Sequence, residues 1–384
     1  MLMSGPDPFI GRDVLGGQFR ILQKIGSGGM GSVYKALQPS MNRLVAVKIL
    51  HPKLANRKDL VSRFRREASA MSHLAHPNTV KVFNYGELED GSLYIAMEFL
   101  AGRSLHQTVR KQGPLPVQRA LSILIQVCGA LEEAHRKGIV HRDLKPENIF
   151  LCTDPSGQGD YAKVLDFGLA KVTEREMNPG SIVLTQEGMV FGTPEFMSPE
   201  QAQGKLLDPR SDIYSLAVIL YEALTGKLPF HAKTPMEYIQ HHVATRPIDL
   251  NKRVPGLVFP RQLEAVIAKC LQKKPDARYQ TASEFADALK LVQAELTGGA
   301  GAAPAASTAQ PSQDPATPAV APMGAAPVMP AAAAGAYPMI AVQQHAVAGS
   351  DQGGNTTKVI VAVAMAGLLV GIALTVVVML VLFL

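Results

Sequence analysis

The sequence predicts an α+β fold of two lobes, followed by a disordered linker and one apolar α-helix. Three observations carry this. Short segments rich in Val, Ile and aromatic residues fill roughly the first 100 positions, and helical periodicity takes over from there to residue 296. Residues 297–357 are dominated by Ala, Pro, Gly, Ser, Thr and Gln. Residues 359–384 contain no charged side chain. The expected divisions are an N-terminal extension at 1–15, a globular unit at 16–296 (small lobe 16–100, large lobe 101–296), the linker at 297–357 and the apolar helix at 359–384.

In the small lobe, 19–25, 32–36 and 44–50 read as strands broken by Gly or Pro. A helix is expected at 58–73, where Leu60, Phe64, Ala68 and Met71 share a face. Strands at 80–85 and 93–99 flank Glu89-Asp90-Gly91, which reads as a hairpin turn. Beyond Gly102 the expected helices are 115–137, 216–225, 262–271 and 283–295, with a strand at 162–165. The 61 residues of 297–357 bury too little surface to offset chain entropy, so disorder is expected, with a typical span of roughly 45 Å. The 26 residues of 359–384 form a helix of roughly 39 Å, enough to cross a hydrocarbon layer of about 30 Å. A buried helix of a soluble domain is the alternative, and that length without charge or Pro argues against it.

The net charge is +6 and the sequence pI about 9.1. Much of the excess falls on one predicted helix, at 57–66, and no basic run is interleaved with aromatics, so no nucleic-acid partner is expected. Cys128, Cys152 and Cys270 are widely spaced and outside any CxxC or Cys/His cluster, which fits free thiols rather than a zinc site. The N-terminus lacks the charged and apolar regions of a cleavable signal.

Chemistry concentrates in three places. Gly26-Ser27-Gly28-Gly29-Met30-Gly31-Ser32-Val33 reads G-x-G-x-x-G-x-V, a loop whose backbone N–H groups can lie against phosphates. Alone it describes any Gly-rich turn. A dinucleotide-binding loop would lead into a helix, whereas here a strand follows. Lys48 ends the apolar strand Ala46-Val47-Lys48, and Glu67 on the next helix is positioned to fix it. A solvated edge lysine is the plainer reading of that pair. His141-Arg142-Asp143-Leu144-Lys145-Pro146-Glu147-Asn148 is far more specific. Moving a phosphoryl group to a hydroxyl needs a proton acceptor, nearby positive charge and hard oxygen ligands for Mg²⁺, and Asp143, Lys145 and Asn148 are of those three types. Asp166-Phe167-Gly168 adds a carboxylate at a strand end.

These motifs, in this order, resemble the eukaryotic-like (Hanks-type) protein kinase family, over about residues 16–295. The resemblance implies the two-lobed protein kinase fold with ATP between the lobes. It implies that Ile25, Gly26, Ser27, Gly28, Gly29, Met30 and Gly31 cover the nucleotide, that Val33, Ala46 and Phe150 line the adenine slot, and that Lys48, paired with Glu67, contacts the phosphates. Met97 resembles the gatekeeper, and Glu98 to Leu100 the hinge. Asp143 would be the catalytic base, assisted by Lys145, and Asn148 with Asp166 would hold Mg²⁺, or Mn²⁺ in its place. Lys145 and Thr193 are typical of Ser/Thr specificity. Gly192-Thr193-Pro194 and Ser198-Pro199-Glu200 resemble the end of the activation segment, where Ser198 replaces the usual Ala. Asp212 and Arg278 resemble the structural acid and base of the large lobe.

The implied activity is transfer of the ATP γ-phosphoryl group to protein Ser or Thr, with close likeness to the bacterial branch. A catalytically dead scaffold is the alternative, opposed by the absence of any substituted catalytic position. A small-molecule phosphotransferase is opposed by the intact peptide-platform segment at 192–200. Arg142 beside Asp143 implies activation by a phosphorylated loop, with Thr185 the preferred site over Thr173 and Ser181. The apolar helix at the chain's end implies a tail-anchored, single-pass protein of the inner membrane with a cytoplasmic catalytic domain, Lys358 flanking the entry side. Gly367 and Gly371 form a GxxxG, which pairs transmembrane helices or arises by chance in small-residue segments. A homodimer is the corresponding expectation.

Overall fold

A computed structural model describes residues 7–28, 31–51, 58–153, 157, 159–167 and 193–298. The chain divides into two units, 1–307 and 308–384. The second unit, with the predicted linker beyond 298 and the predicted transmembrane helix, lies outside the described residues. So do Gly29, Met30, Gly168 and Thr185. Among the described residues no helix is long and apolar enough to cross a membrane.

The small lobe is one antiparallel sheet of β1 (Asp13–Val14), β2 (Phe19–Gly28), β3 (Gly31–Gln38), β4 (Arg43–Leu50), β5 (Val82–Glu87) and β6 (Leu93–Glu98), in spatial order β1-β2-β3-β4-β6-β5. Side chains alternate across it. Val45, Val47 and Ile49 join Phe19, Ile21, Tyr34, Tyr94 and Ala96 on one face, where the N-terminal Phe9, Val14 and Leu15 pack. Ala46, Leu50, Ile95 and Met97 face the other way, toward α1 (Lys58–Ser72) and the large lobe. β4 is therefore buried on both faces and reads as a continuous apolar run broken by a single lysine, Lys48. α1 buries Leu60, Phe64, Ala68 and Met71, the predicted stripe.

The large lobe begins with β7 (Gly102–Ser104), then α2 (Leu105–Gln112) and the long α3 (Val117–Arg136). β8 (Ile149–Cys152) and β9 (Tyr161–Val164) complete a small antiparallel sheet ordered β7-β8-β9. Then come α4 (Pro199–Ala202), α5 (Pro209–Thr225), α6 (Pro235–Ala244), α7 (Leu250–Arg253), α8 (Arg261–Cys270) and α9 (Ala282–Gly298). α5 is buried nearly all round, from Ser211 to Leu220 without a break, as the central post. Asp208 caps its start through the Arg210 N–H, Pro209 occupies the first turn, and Gly226 ends it in the left-handed region. The three cysteines are free thiols.

Candidate active site

The site is assembled along the seam where β3, β4 and β6 face the loop between α3 and β8. In an antiparallel sheet directly opposed residues share a face. Val33 lies opposite Lys48, Lys48 opposite Ile95, and Ala46 opposite Met97. Val33 and Ala46, two of the predicted slot residues, and Met97, the predicted gatekeeper, therefore share the Lys48 face. Gly31 is needed for packing: its φ is +157°, and a Cβ there would overlap the Ile49 carbonyl oxygen. A Cβ on Gly28 would meet nothing within 4 Å, and one on Gly26 would meet only Val33 at 3.8 Å. Those two glycines leave an open surface where a ligand could approach the backbone. Ile25 is exposed beside them, and Phe150 on β8 and Leu100 are half-buried.

Glu98 differs from a plain hinge position. Its N–H donates to the Lys81 carbonyl at 2.9 Å, and its carboxylate accepts from the Lys81 N–H at 2.8 Å and pairs with Lys163 of β9 at 2.7 Å. The Glu98 N–H is thus engaged within the protein, and an acceptor nitrogen of a purine edge would have to find its donor at another backbone position.

On the opposite wall, the loop from His141 to Asn148 is fixed by Asp212 of α5. One carboxylate, almost wholly buried, accepts from the His141 N–H at 2.8 Å and the Arg142 N–H at 3.0 Å, and lies 2.8 Å from His135 Nε2. Arg142 sits at φ +69°, a costly conformation for a non-glycine, and Gln201 Nε2 holds its carbonyl at 2.9 Å. Burial would raise the Asp212 carboxyl, but His135, His141 and the loop N–H groups hold it below the ordinary range.

This loop presents Asp143. Lys145 Nζ donates to Asp143 Oδ2 at 2.7 Å and to Thr193 Oγ1 at 3.4 Å, so base, cation and the start of the 193–198 segment converge. Asn148 Nδ2 donates to the Asp143 carbonyl at 2.8 Å, which fixes the plane of its amide. Asp166, at φ +56°, ion-pairs with Lys48 at 2.7 Å. Burial opposes its charge, but Lys48, then His141 and Lys145, hold its carboxyl below the ordinary range. In this pair an ammonium and a carboxylate facing each other across a partly desolvated cleft satisfy one another. Glu67, the expected partner of Lys48, is also engaged in an interaction. Among the described residues no three acidic, His or Cys side chains form a metal cage. Asp166 and Asn148 offer one carboxylate and one amide, the sparse hard-oxygen set that suits Mg²⁺ bound mainly through phosphate and water.

The segment after Thr193 is built into the lobe. Ser198, the departure from the family pattern, caps α4 by accepting from the Gln201 N–H at 3.2 Å. Glu200 forms a bidentate pair with Arg278, 2.8 Å for each arm, and accepts from Ser211 at 2.6 Å. Ser215 donates to the Phe196 carbonyl at 2.7 Å, and His242 Nε2 to the Glu195 carbonyl at 3.0 Å. Sequence reasoning missed Ser215, Gln201 and His242. His242 follows His241 directly, and nothing in the sequence separates the buried member of that pair from the other. A cavity of about 440 Å³, lined by Tyr221, Ile248, Leu250, Ile267 and Leu271 among others, shares no residue with this site.

Residues 19–289 match the family described as protein kinase domain. The chain belongs to that family. The kinase domain is 41% identical over 289 residues to a Myxococcus xanthus protein named serine/threonine-protein kinase pkn3, covering 75% of this chain and 52% of that one. It is 41% identical over 264 residues to Mycobacterium leprae serine/threonine-protein kinase PknB, covering 68% and 40%. The chain thus spans about half or less of the length of these relatives. Among solved structures, the Mycobacterium tuberculosis PknI kinase domain matches with a TM-score of 0.57 at 27% identity, over 74% of this chain and 98% of that one.

Proposed function

We propose that this protein is a Ser/Thr protein kinase, and that Asp143, Lys145, Lys48, Asn148 and Asp166 carry the transfer of the ATP γ-phosphoryl group to a protein hydroxyl. The observation that carries this reading is the convergence of Asp143, Lys145 and Thr193 at one point of a cleft that the Lys48–Asp166 pair spans. The acceptor oxygen forms a bond to the γ-phosphorus, the bond from that phosphorus to the β,γ-bridging oxygen breaks, and ADP leaves. Asp143 takes the hydroxyl proton, and Lys145, 2.7 Å from it, offsets charge on the transferring group. Lys48 binds phosphate once it turns from Asp166. Asp166 and the Asn148 amide oxygen would hold Mg²⁺, which would neutralise phosphate charge when bound.

The finer reading is a kinase anchored in a membrane by residues 359–384, with a cytoplasmic catalytic domain, activated by autophosphorylation at Thr185. The uncharged run and Arg142 beside Asp143 support it. Incubation of wild type and Asp143→Asn with Mg²⁺ and γ-labelled ATP tests the core claim. Label is expected in wild type, with the variant reduced about 10²- to 10⁴-fold. No label in either, with Mg²⁺ or Mn²⁺, would leave the catalytically dead scaffold standing. Full activity of purified Thr185→Ala would remove the activation step.

A further inference from the structure

The peptide platform is anchored to α6 by one side chain whose chemistry its packing does not require. His242 is fully buried. Its ring lies edge-on to Tyr214 (centroids 5.6 Å apart) and to Phe230 (5.0 Å). A phenylalanine would fill such an aromatic box as well. What the imidazole adds over a phenylalanine ring is a donor and an acceptor on separate ring nitrogens. A carbonyl only accepts, so Nε2 carries the proton and gives it to Glu195 O at 3.0 Å. Nδ1 must then accept, and it takes the Tyr214 hydroxyl proton at 2.9 Å. Burial, reinforced by Lys273, pushes the imidazole down to about 3, so the ring stays neutral and this tautomer persists at working pH.

The two ends of that relay are informative. Glu195 sits in the turn Pro194–Phe196, which begins one residue after Thr193. Tyr214 belongs to α5, two residues after Asp212, the carboxylate that shapes the Asp143 loop. The relay therefore ties the backbone beside the acceptor position to the same helix that sets the catalytic base. Lys273 Nζ closes the back of α6 by donating to the carbonyls of His241 (3.1 Å) and His242 (2.8 Å).

We propose that His242 is a positioning residue for the protein acceptor: through Glu195 and Tyr214 it holds the 194–196 backbone in register with Asp143. This rests on the kinase reading above. Removing the relay leaves a buried carbonyl and hydroxyl without partners, which the segment relieves by shifting. Acceptor turnover then falls, while steps that need no platform do not. The slow hydrolysis of ATP by water is such a step.

The test uses the full chain and an acceptor peptide selected from a degenerate Ser/Thr library. Peptide kcat/KM, ATP KM, peptide-independent ATP hydrolysis and Tm are measured for wild type, His242→Phe, His242→Gln and Tyr214→Phe. His242→Phe is expected to lower peptide kcat/KM about five- to tenfold, with ATP KM and ATP hydrolysis within twofold of wild type. His242→Gln, whose amide both donates and accepts, recovers most of the loss. Tyr214→Phe, which keeps the ring and removes only the hydroxyl, gives a smaller loss in the same direction and decides the matter if His242→Phe does not fold. Unchanged peptide kcat/KM in both Phe variants, or a loss shared equally by ATP hydrolysis and following Tm, would overturn the proposal. Inactivity of wild type toward every acceptor would instead sink the kinase reading.

Discussion

Two ion pairs in this molecule are made of similar groups and differ in nearly every other respect. Lys48–Asp166 spans the cleft through a single contact, with side chains 11% and 29% exposed. Arg278–Glu200 lies under the peptide platform with side chains 0% and 8% exposed, makes two parallel contacts, and fills its remaining donors with the carbonyls of Gln272, Arg210 and Lys273. The difference follows the task. A lysine that must turn to phosphate needs a partner it can leave, and water at the cleft edge lowers the cost of the exchange. An arginine that holds a backbone platform has no exchange to make, so burial and complete hydrogen bonding fix it.

The comparison breaks most readily at the buried pair. Arg278→Met would leave Glu200 charged and buried, and is expected to cost about 3–5 kcal/mol, read by denaturant unfolding. A loss below about 1 kcal/mol would mean the pair is not the anchor described. Next in size, Lys48→Met is expected to lower kcat/KM for ATP roughly 10²-fold while stability changes by less than about 1 kcal/mol, because Asp166 can rehydrate. Equal destabilisation by the two substitutions would erase the distinction between exchangeable and fixed pairs.

How legible these features were in the sequence depends on whether local pattern or tertiary contact decides them. The strands at 19–25, 32–36, 44–50 and 93–99 and the helix at 58–73 were readable because alternation or 3.6-residue spacing is local, and they stand with shifted ends as Phe19–Gly28, Gly31–Gln38, Arg43–Leu50, Leu93–Glu98 and Lys58–Ser72. The predicted 80–85 strand begins two residues later, at Val82, because Val80 instead bonds to Val164 of β9. α2 and α6 do not stand out by apolar periodicity, and their sequence marks are caps: Ser104 with Gln107 forms a capping box, and Thr234 accepts from the Glu237 N–H. The start of α5 was likewise marked by Asp208-Pro209 but set seven residues late. The catalytic loop was legible as residue types in order. That Lys48 meets Asp166, that Glu98 is tied to Lys81 and Lys163, and that His242 reaches Glu195 were not, since each joins positions 17 to 118 residues apart through the packed fold.

The smallest effect contrasts Glu200 with a second acid of the same lobe. Both are taken from water, and burial alone would raise both. Arg278 and Ser211 reverse this for Glu200 and hold it below the ordinary range. Glu222, on α5, is pushed up to about 7 by burial and then by Glu147 and Glu195, with Arg110 opposing. Its folded state therefore keeps a proton that the unfolded chain has already released, and the sign follows. Stability is unaffected by Glu222 below about pH 4.5, falls as the pH rises toward 7, and carries the full cost above it. Glu222→Gln is expected to raise stability by about 1–2 kcal/mol at pH 8 and to leave it unchanged at pH 4.5, read as Tm at the two pH values. A gain of the same size at both would show that the side chain's packing, not its charge, sets its energy. Charge without a partner, rather than burial itself, would then no longer separate Glu222 from Glu200.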